Sequence, residues 1–169
     1  MAVMEILKYP DQRLRIIAKK IDNITDDIKK IAASMIETMY QAKGIGLAST
    51  QVGIPVRLFV IDVEQLDENP KPIVFINPEI LSIEGKEKHD EGCLSIPGYT
   101  APVERASKVI VRFINLDGET QELVAEGLLA RAIQHENDHL DGKLFIDRLS
   151  PIRKELIIKR LKKQMEKSL

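Results

Sequence analysis

His135 and His139 stand four residues apart in the run Gln134-His135-Glu136-Asn137-Asp138-His139-Leu140-Asp141-Gly142, and no other feature constrains the chain as much. Four helical residues advance about 400°, so the two imidazoles project from one face a turn apart, a separation at which both reach one tetrahedral metal. Glu136 falls about 60° round from His139. There it can flank a metal without ligating it and handle protons for a bound water. Leu128 and Ala132 precede His135 on the same face, which makes that face an apolar wall. The spacing predicts a helix from about Glu126 to Leu140, stopped by Asp141-Gly142. A chance His-Glu-x-x-His in a chain of this length is on the order of one in a few hundred, so metal binding is the preferred reading.

A catalytic metal needs a third protein ligand and an open position. Cys93, in the non-helical stretch Glu91-Gly92-Cys93-Leu94-Ser95, offers a soft thiolate, and Gly92 lets backbone approach closely. On base rate alone, a lone cysteine is more often a buried structural residue. His89, set among Lys86, Glu87, Lys88, Asp90 and Glu91, reads as a surface residue. The segment Gly44-Ile45-Gly46-Leu47-Ala48-Ser49-Thr50-Gln51 holds two glycines with small neighbours and an amide donor in Gln51. By itself it reads as a turn, since neither a preceding strand nor a Gly-Lys-Ser/Thr marks it as a phosphate loop.

The rest of the chain supplies the frame. Its 169 residues suit one domain (1–169), and a composition 44% hydrophobic and 30% charged excludes both a disordered chain and a membrane bundle. Thr25 is an N-cap for a helix carrying Ile28, Ile31, Ala32, Met35 and Met39, ended by Gly44. Leu58 to Ile61 read as a buried strand, and Ile73–Ile76 and Ile80–Ile83 as two short strands bounded by Pro72 and Pro78. Lys108 to Asn115 alternates and returns through Asp117-Gly118 to Thr120–Val124, a hairpin. Strands grouped between helices predict an α+β fold: short, mostly antiparallel sheets around a central histidine-bearing helix, with an N-terminal and a C-terminal helix.

Net charge is -1, so whole-molecule attraction to DNA or anionic lipid is not expected, and no stretch approaches a membrane span. The average conceals an asymmetry. Residues 151–169 hold seven basic residues (Arg153, Lys154, Lys159, Arg160, Lys162, Lys163, Lys167) against Glu155 and Glu166. They read as an amphipathic helix with Ile152, Leu156, Leu161 and Met165 near one face and lysines around the rest. A single cysteine excludes an internal disulfide and fits a reducing compartment, and with no signal-like N-terminal run a cytoplasmic location is expected.

Gly44 to Gln51, Glu91 to Ser95 and Gln134 to Gly142, in that order, resemble the peptide deformylase family, whose pattern is G-x-G-L-A-A-x-Q, then E-G-C-L-S, then Q-H-E-x-D-H-L-x-G. The second and third motifs are intact, and Pro10-Asp11-Gln12-Arg13-Leu14-Arg15 and Leu144 to Pro151 fit as well. Ser49 stands where the family usually has Ala, bringing a hydroxyl that needs a partner. The resemblance implies a cytoplasmic hydrolase that removes the N-formyl group from N-formylmethionyl nascent polypeptides and releases formate. It implies Cys93, His135 and His139 as metal ligands, Glu136 as general acid and base, and Gln51 with the Leu94 N–H as oxyanion donors. It further implies Fe(II) in cells, with Zn(II), Ni(II) or Co(II) forms in purified protein. Leu128 and Ala132 with Ile45 are expected to line a methionine pocket, with Gly44 at its rim, and the Gly44–Gly46 backbone to pair with extended substrate. The basic tail is expected either to be a solvated face or to dock on ribosomal RNA. Two rival readings are a metallopeptidase and a non-catalytic RNA-binding protein with a structural metal.

Overall fold

The computed structural model describes residues 3–64 and 70–167. Helix α1 (Asp26–Gln41) begins where the Thr25 hydroxyl accepts the Ile28 N–H at 3.3 Å, with Asp26 and Asp27 at the positive end of its dipole. It ends one residue earlier than expected. Lys43, not Gly44, takes the left-handed conformation (φ 59°), and the Gly44 N–H closes the turn on the Met39 carbonyl at 3.0 Å. A lysine at that position costs roughly 1 kcal/mol relative to glycine.

Seven strands follow: β1 (Gly46–Ala48), β2 (Leu58–Ile61), β3 (Ile73–Glu84), β4 (Glu87–Cys93), β5 (Ile96–Arg105), β6 (Lys108–Ile114) and β7 (Thr120–Glu126). Helices α2 (Gly127–Leu140) and α3 (Pro151–Lys167) complete the order, giving an α+β fold. Five strands form one antiparallel sheet in the order β1-β2-β3-β6-β7, and β4 pairs with β5 as a separate ribbon.

Strand β2 explains the apolar run at Leu58–Ile61. Leu58 and Val60 face α1, where they meet Ala32, Met35 and Met39, while Phe59 and Ile61 face α2 and its Ala130, Ala132 and Ile133. All four are fully buried because the sheet is covered on both sides. Phe59, Phe75 and Phe113 stack in series with centroids 4.7 and 4.5 Å apart. A third cluster packs Ile96, Ala101 and Val103 of β5 against Leu144, Phe145 and Ile146 and against Ile157 and Leu161 of α3. Helix α2 therefore lies between the five-stranded sheet and the ribbon, and its histidine face meets the ribbon's end.

Three expectations are corrected. The two short strands at 73–83 are one strand running through Pro78. Asn77 adopts φ 50° and the register shifts between Ile76 and Glu79, which takes the proline, lacking an N–H, out of the ladder. The turn expected at Gly44–Gln51 contains edge strand β1 and a 3-10 turn at Ser49–Val52. On α3 the buried residues are Ile157 and Leu161, whereas Ile152 is 73% exposed and Leu156 and Met165 are also exposed. Nine helical steps separate Ile152 from Leu161, about 180° of rotation, so the two cannot share a face.

Candidate active site

The site is assembled from four places. Helix α2 presents His135, Glu136 and His139 towards the end of β4, where a register shift between Gly92 and Cys93 breaks the ladder and leaves Cys93 at the turn. Cys93 Sγ lies 3.3 Å from His139 Nε2, which lies 3.3 Å from His135 Nε2. The three donor atoms fall within 4.8 Å of one another. A tetrahedral ion with bonds of about 2.0–2.3 Å separates such donors by about 3.3–3.6 Å. Cys93, His135 and His139 therefore could hold a metal, and one thiolate with two imidazoles suits a borderline divalent ion while leaving a fourth position open.

The pocket's electrostatics act on two of those donors. Burial would raise the Cys93 thiol, but His139 and His135 beside the sulfur outweigh it and bring it well below the ordinary range. His135 donates or shares its Nδ1 proton with Glu91 Oε1 at 2.5 Å, which aims Nε2 into the pocket. Burial disfavours charge on that ring, yet Glu136, Cys93 and Glu91 together raise its pKa. Behind it, Glu91 accepts from Arg105 at 2.5 and 3.1 Å and from Arg131 at 3.0 Å. Arg105 also reaches Asp138 at 2.6 Å, and Asp138 takes Arg148 at 2.6 and 2.7 Å. Burial pushes the Glu91 carboxyl up, and His135 and Arg105 more than reverse that, so it stays ionised.

Glu136 differs from every other carboxylate nearby. It is buried, its Oε1 has no hydrogen-bond partner among the described residues, and burial raises its pKa against the opposing pull of His135 and His139. A carboxylate so placed is suited to taking and returning a proton. Gly46, which opens β1, and Gly44 just before it are explained here. A Cβ on Gly46 would lie 2.5 Å from Glu136 Oε2, and one on Gly44 would lie 2.6 Å from Leu94 Cδ1.

Gln51 is buried, its Oε1 accepting the Ala48 N–H at 2.9 Å. That fixes its amide nitrogen 3.1 Å from Ser95 Oγ and 3.6 Å from Cys93 Sγ. The Ser49 hydroxyl, the residue departing from the family pattern, donates to the Val56 carbonyl and is satisfied. A cavity of about 680 Å³ opens above the cluster, and Gly44, Ile45, Gly46, Gln51, Leu94, Leu128, Ala132 and Glu136 all line it. Ala132 is buried, Leu128 and Ile45 partly exposed at its mouth. His89 lies on the surface, as expected, 3.5 Å from Glu87.

Sequence reasoning missed the supports. Glu91 was visible within an intact motif, and Asp138 within another, but neither had a stated task. Arg148 lies in the segment Leu144 to Pro151 that fits the family pattern but had no stated task, and Arg105 and Arg131 carry no local signal and become significant only when the fold brings them together.

An α+β chain with a Cys/His cluster fit for a metal, and a buried glutamate next to one histidine on the same helix, belongs to the metal-dependent hydrolases. Residues 3–155 match the family described as polypeptide deformylase. A peptide deformylase of Azotobacter vinelandii is 52% identical, covering 97% of each chain, and one of Thermodesulfovibrio yellowstonii is 50% identical over 96% of this chain and 98% of its own. Among solved structures, a peptide deformylase from Legionella pneumophila superposes with a TM-score of 0.92 at 42% identity, covering 99% of this chain and 98% of that one. One from Ehrlichia chaffeensis, in complex with actinonin, gives 0.91 at 36% identity over 97% and 98%. The chain belongs to the polypeptide deformylase family. It is an enzyme of that kind, a metal-dependent hydrolase that removes the N-formyl group from new polypeptides.

Proposed function

We propose that Cys93, His135 and His139 hold the divalent metal of this deformylase, that Glu136 moves the protons, and that Gln51 and the Leu94 N–H receive the oxyanion. The observation that carries the reading is the convergence of three donors beside a buried carboxylate whose Oε1 has no hydrogen-bond partner among the described residues. When bound, the metal supplies Lewis acidity, polarising the formyl carbonyl and acidifying water. Glu136 takes a proton from the attacking water through the carboxylate that faces Gly46. As the formyl carbon becomes tetrahedral, the Gln51 amide, held rigid by Ala48, and the Leu94 N–H donate to its oxygen. Glu136 then passes its proton to the departing nitrogen, and the C–N bond breaks to give formate and a free N-terminal methionine.

Substrate enters extended along the Gly44–Gly46 backbone, with its methionine side chain against Leu128, Ala132 and Ile45. Fe(II) is the proposed metal in cells, with Zn(II), Ni(II) or Co(II) accepted by the same donors in isolated protein. The chain is proposed to act as one domain in the cytoplasm; none of its described helices is long and apolar enough to cross a membrane. Helix α3 presents Arg153, Lys159, Arg160, Lys162 and Lys163 outward, which supports docking on ribosomal RNA. Reversing Lys159 and Lys163 to Glu should abolish low-salt co-sedimentation with ribosomes; unchanged co-sedimentation contradicts docking through α3. Formate release from a formyl-Met peptide, with an unformylated peptide as the cleavage control, tests the main reading. Turnover that survives Glu136→Gln in metal-loaded protein removes Glu136 from the reaction.

A further inference from the structure

The cavity has a charged mouth that the reaction itself does not need. Apart from Glu136 at the reacting end, three lining residues with charged side chains, Lys8, Lys43 and Asp90, form no ion pair among the described residues, while the third cation, Arg131, is engaged by Glu91. Lys8 is set into the wall between two backbone anchors, the Leu7 N–H on the Gln51 carbonyl and the Tyr9 N–H on the Ser95 carbonyl. Lys43 directly precedes the Gly44–Gly46 segment that leads into β1. Its backbone is pinned by its own N–H on Tyr40 and that of Gly44 on Met39, each at 3.0 Å. It also occupies a left-handed position where glycine is the unstrained choice.

The register of an added strand places these charges. Gly46 is at the reacting end, since it packs on Glu136. Moving outward, Ile45 lies opposite the substrate's methionine and Gly44 opposite its second residue, and Lys43, where the chain turns, lines the cavity just beyond. A lysine side chain spans roughly two strand steps, so its ammonium reaches the second and third side chains. The two lysines outnumber Asp90, leaving the mouth positive.

We propose that Lys43, assisted by Lys8, selects formyl-methionyl substrates bearing Asp or Glu at the second or third position over those bearing Lys or Arg there. This rests on the substrate path given above. Exposed ion pairs of this kind discriminate modestly, so the expected preference in kcat/KM is about three- to tenfold at low salt. It should shrink towards one as ionic strength rises to about 0.5 M.

The test compares C-terminally amidated formyl-Met-Ala-Asp, formyl-Met-Ala-Ser and formyl-Met-Ala-Lys on the metal-loaded enzyme. Lys43→Glu should invert the Asp-to-Lys ratio. Lys43→Gly should bring it near one and raise the thermal midpoint by about 2–4 °C through relief of the left-handed backbone, an effect a folding role for the side chain would reverse. A wild-type ratio of one with the Ser peptide turning over, or a ratio that Lys43→Glu leaves unchanged, overturns the inference alone. No turnover of the Ser peptide overturns the substrate path on which it rests.

Discussion

Helices α2 and α3 are similar in length and differ in almost everything else. Around α2 every side of the helix has work: alanines and Ile133 pack on the sheet, His135 and Glu136 face the cavity, His139 meets Cys93, and Asp138 joins two arginines. Helix α3 buries only Ile157 and Leu161 and exposes most of its charges, with Lys154 reaching Asp147 at 2.8 Å. Polar residues on α2 are held in place by other buried polar residues, whereas most charged residues of α3 are exposed. Substitutions on α2 should therefore alter chemistry and stability together, and those on α3 should leave the chemistry unchanged.

The largest effect is expected at Glu136. Replacing it with Gln should lower formate release about 100- to 10,000-fold while metal content, measured on the same preparation, stays at wild-type level. Next comes the network behind the histidines. Arg105→Met leaves Glu91 and Asp138 buried without their shared cation, and should cost about 3–5 kcal/mol in denaturant unfolding. In protein that still folds, the loosened Glu91–His135 contact should weaken metal affinity about 10- to 100-fold. An Arg105→Met variant as stable and as metal-tight as wild type would erase the distinction between the two helices. On α3 the contrast is internal: Leu161→Ala should cost about 2–3 kcal/mol and Ile152→Ala no more than about 0.5.

The smallest effect is electrostatic. Burial would raise the Asp147 carboxyl, but hydrogen bonds from Arg15, the Leu144 N–H and Lys154 outweigh it and hold it at about 2 against an ordinary 3.8. A carboxyl depressed on folding contributes stability above its unfolded pKa and loses that contribution as pH falls through its folded one. Asp147 should thus contribute fully at pH 5 and progressively less from about pH 4 down to pH 2. In Asp147→Asn, unfolding curves should show a pH dependence over that range that is flatter by on the order of 1 kcal/mol.

The geometry of α2 was legible because the pattern of Gln134 to Gly142 is local: two histidines one turn apart and a glycine stop at φ 74°. Cys93 and Gln51 were legible by family pattern, since nothing in the composition of their segments distinguishes a ligand from a core cysteine. The ribbon was not foreseen. Strand β4 reads Glu-Lys-His-Asp-Glu and is exposed over most of its length, so it lacks the apolar alternation that marks a strand, and Pro97, Gly98 and Pro102 disguise β5. The Glu91–Arg105–Asp138 network joins residues 14 and 33 positions apart, which only tertiary structure can connect. On α3, four apolar residues suggested one stripe, but helical rotation divides them between two faces.

X-ray absorption spectroscopy on the metal-loaded enzyme, paired with Cys93→Asp, tests the central claim most directly. The account predicts one sulfur and two imidazole nitrogens around the ion, with the sulfur signal lost in the variant. A first shell without sulfur in the wild-type protein, or one unchanged by the substitution, would contradict it.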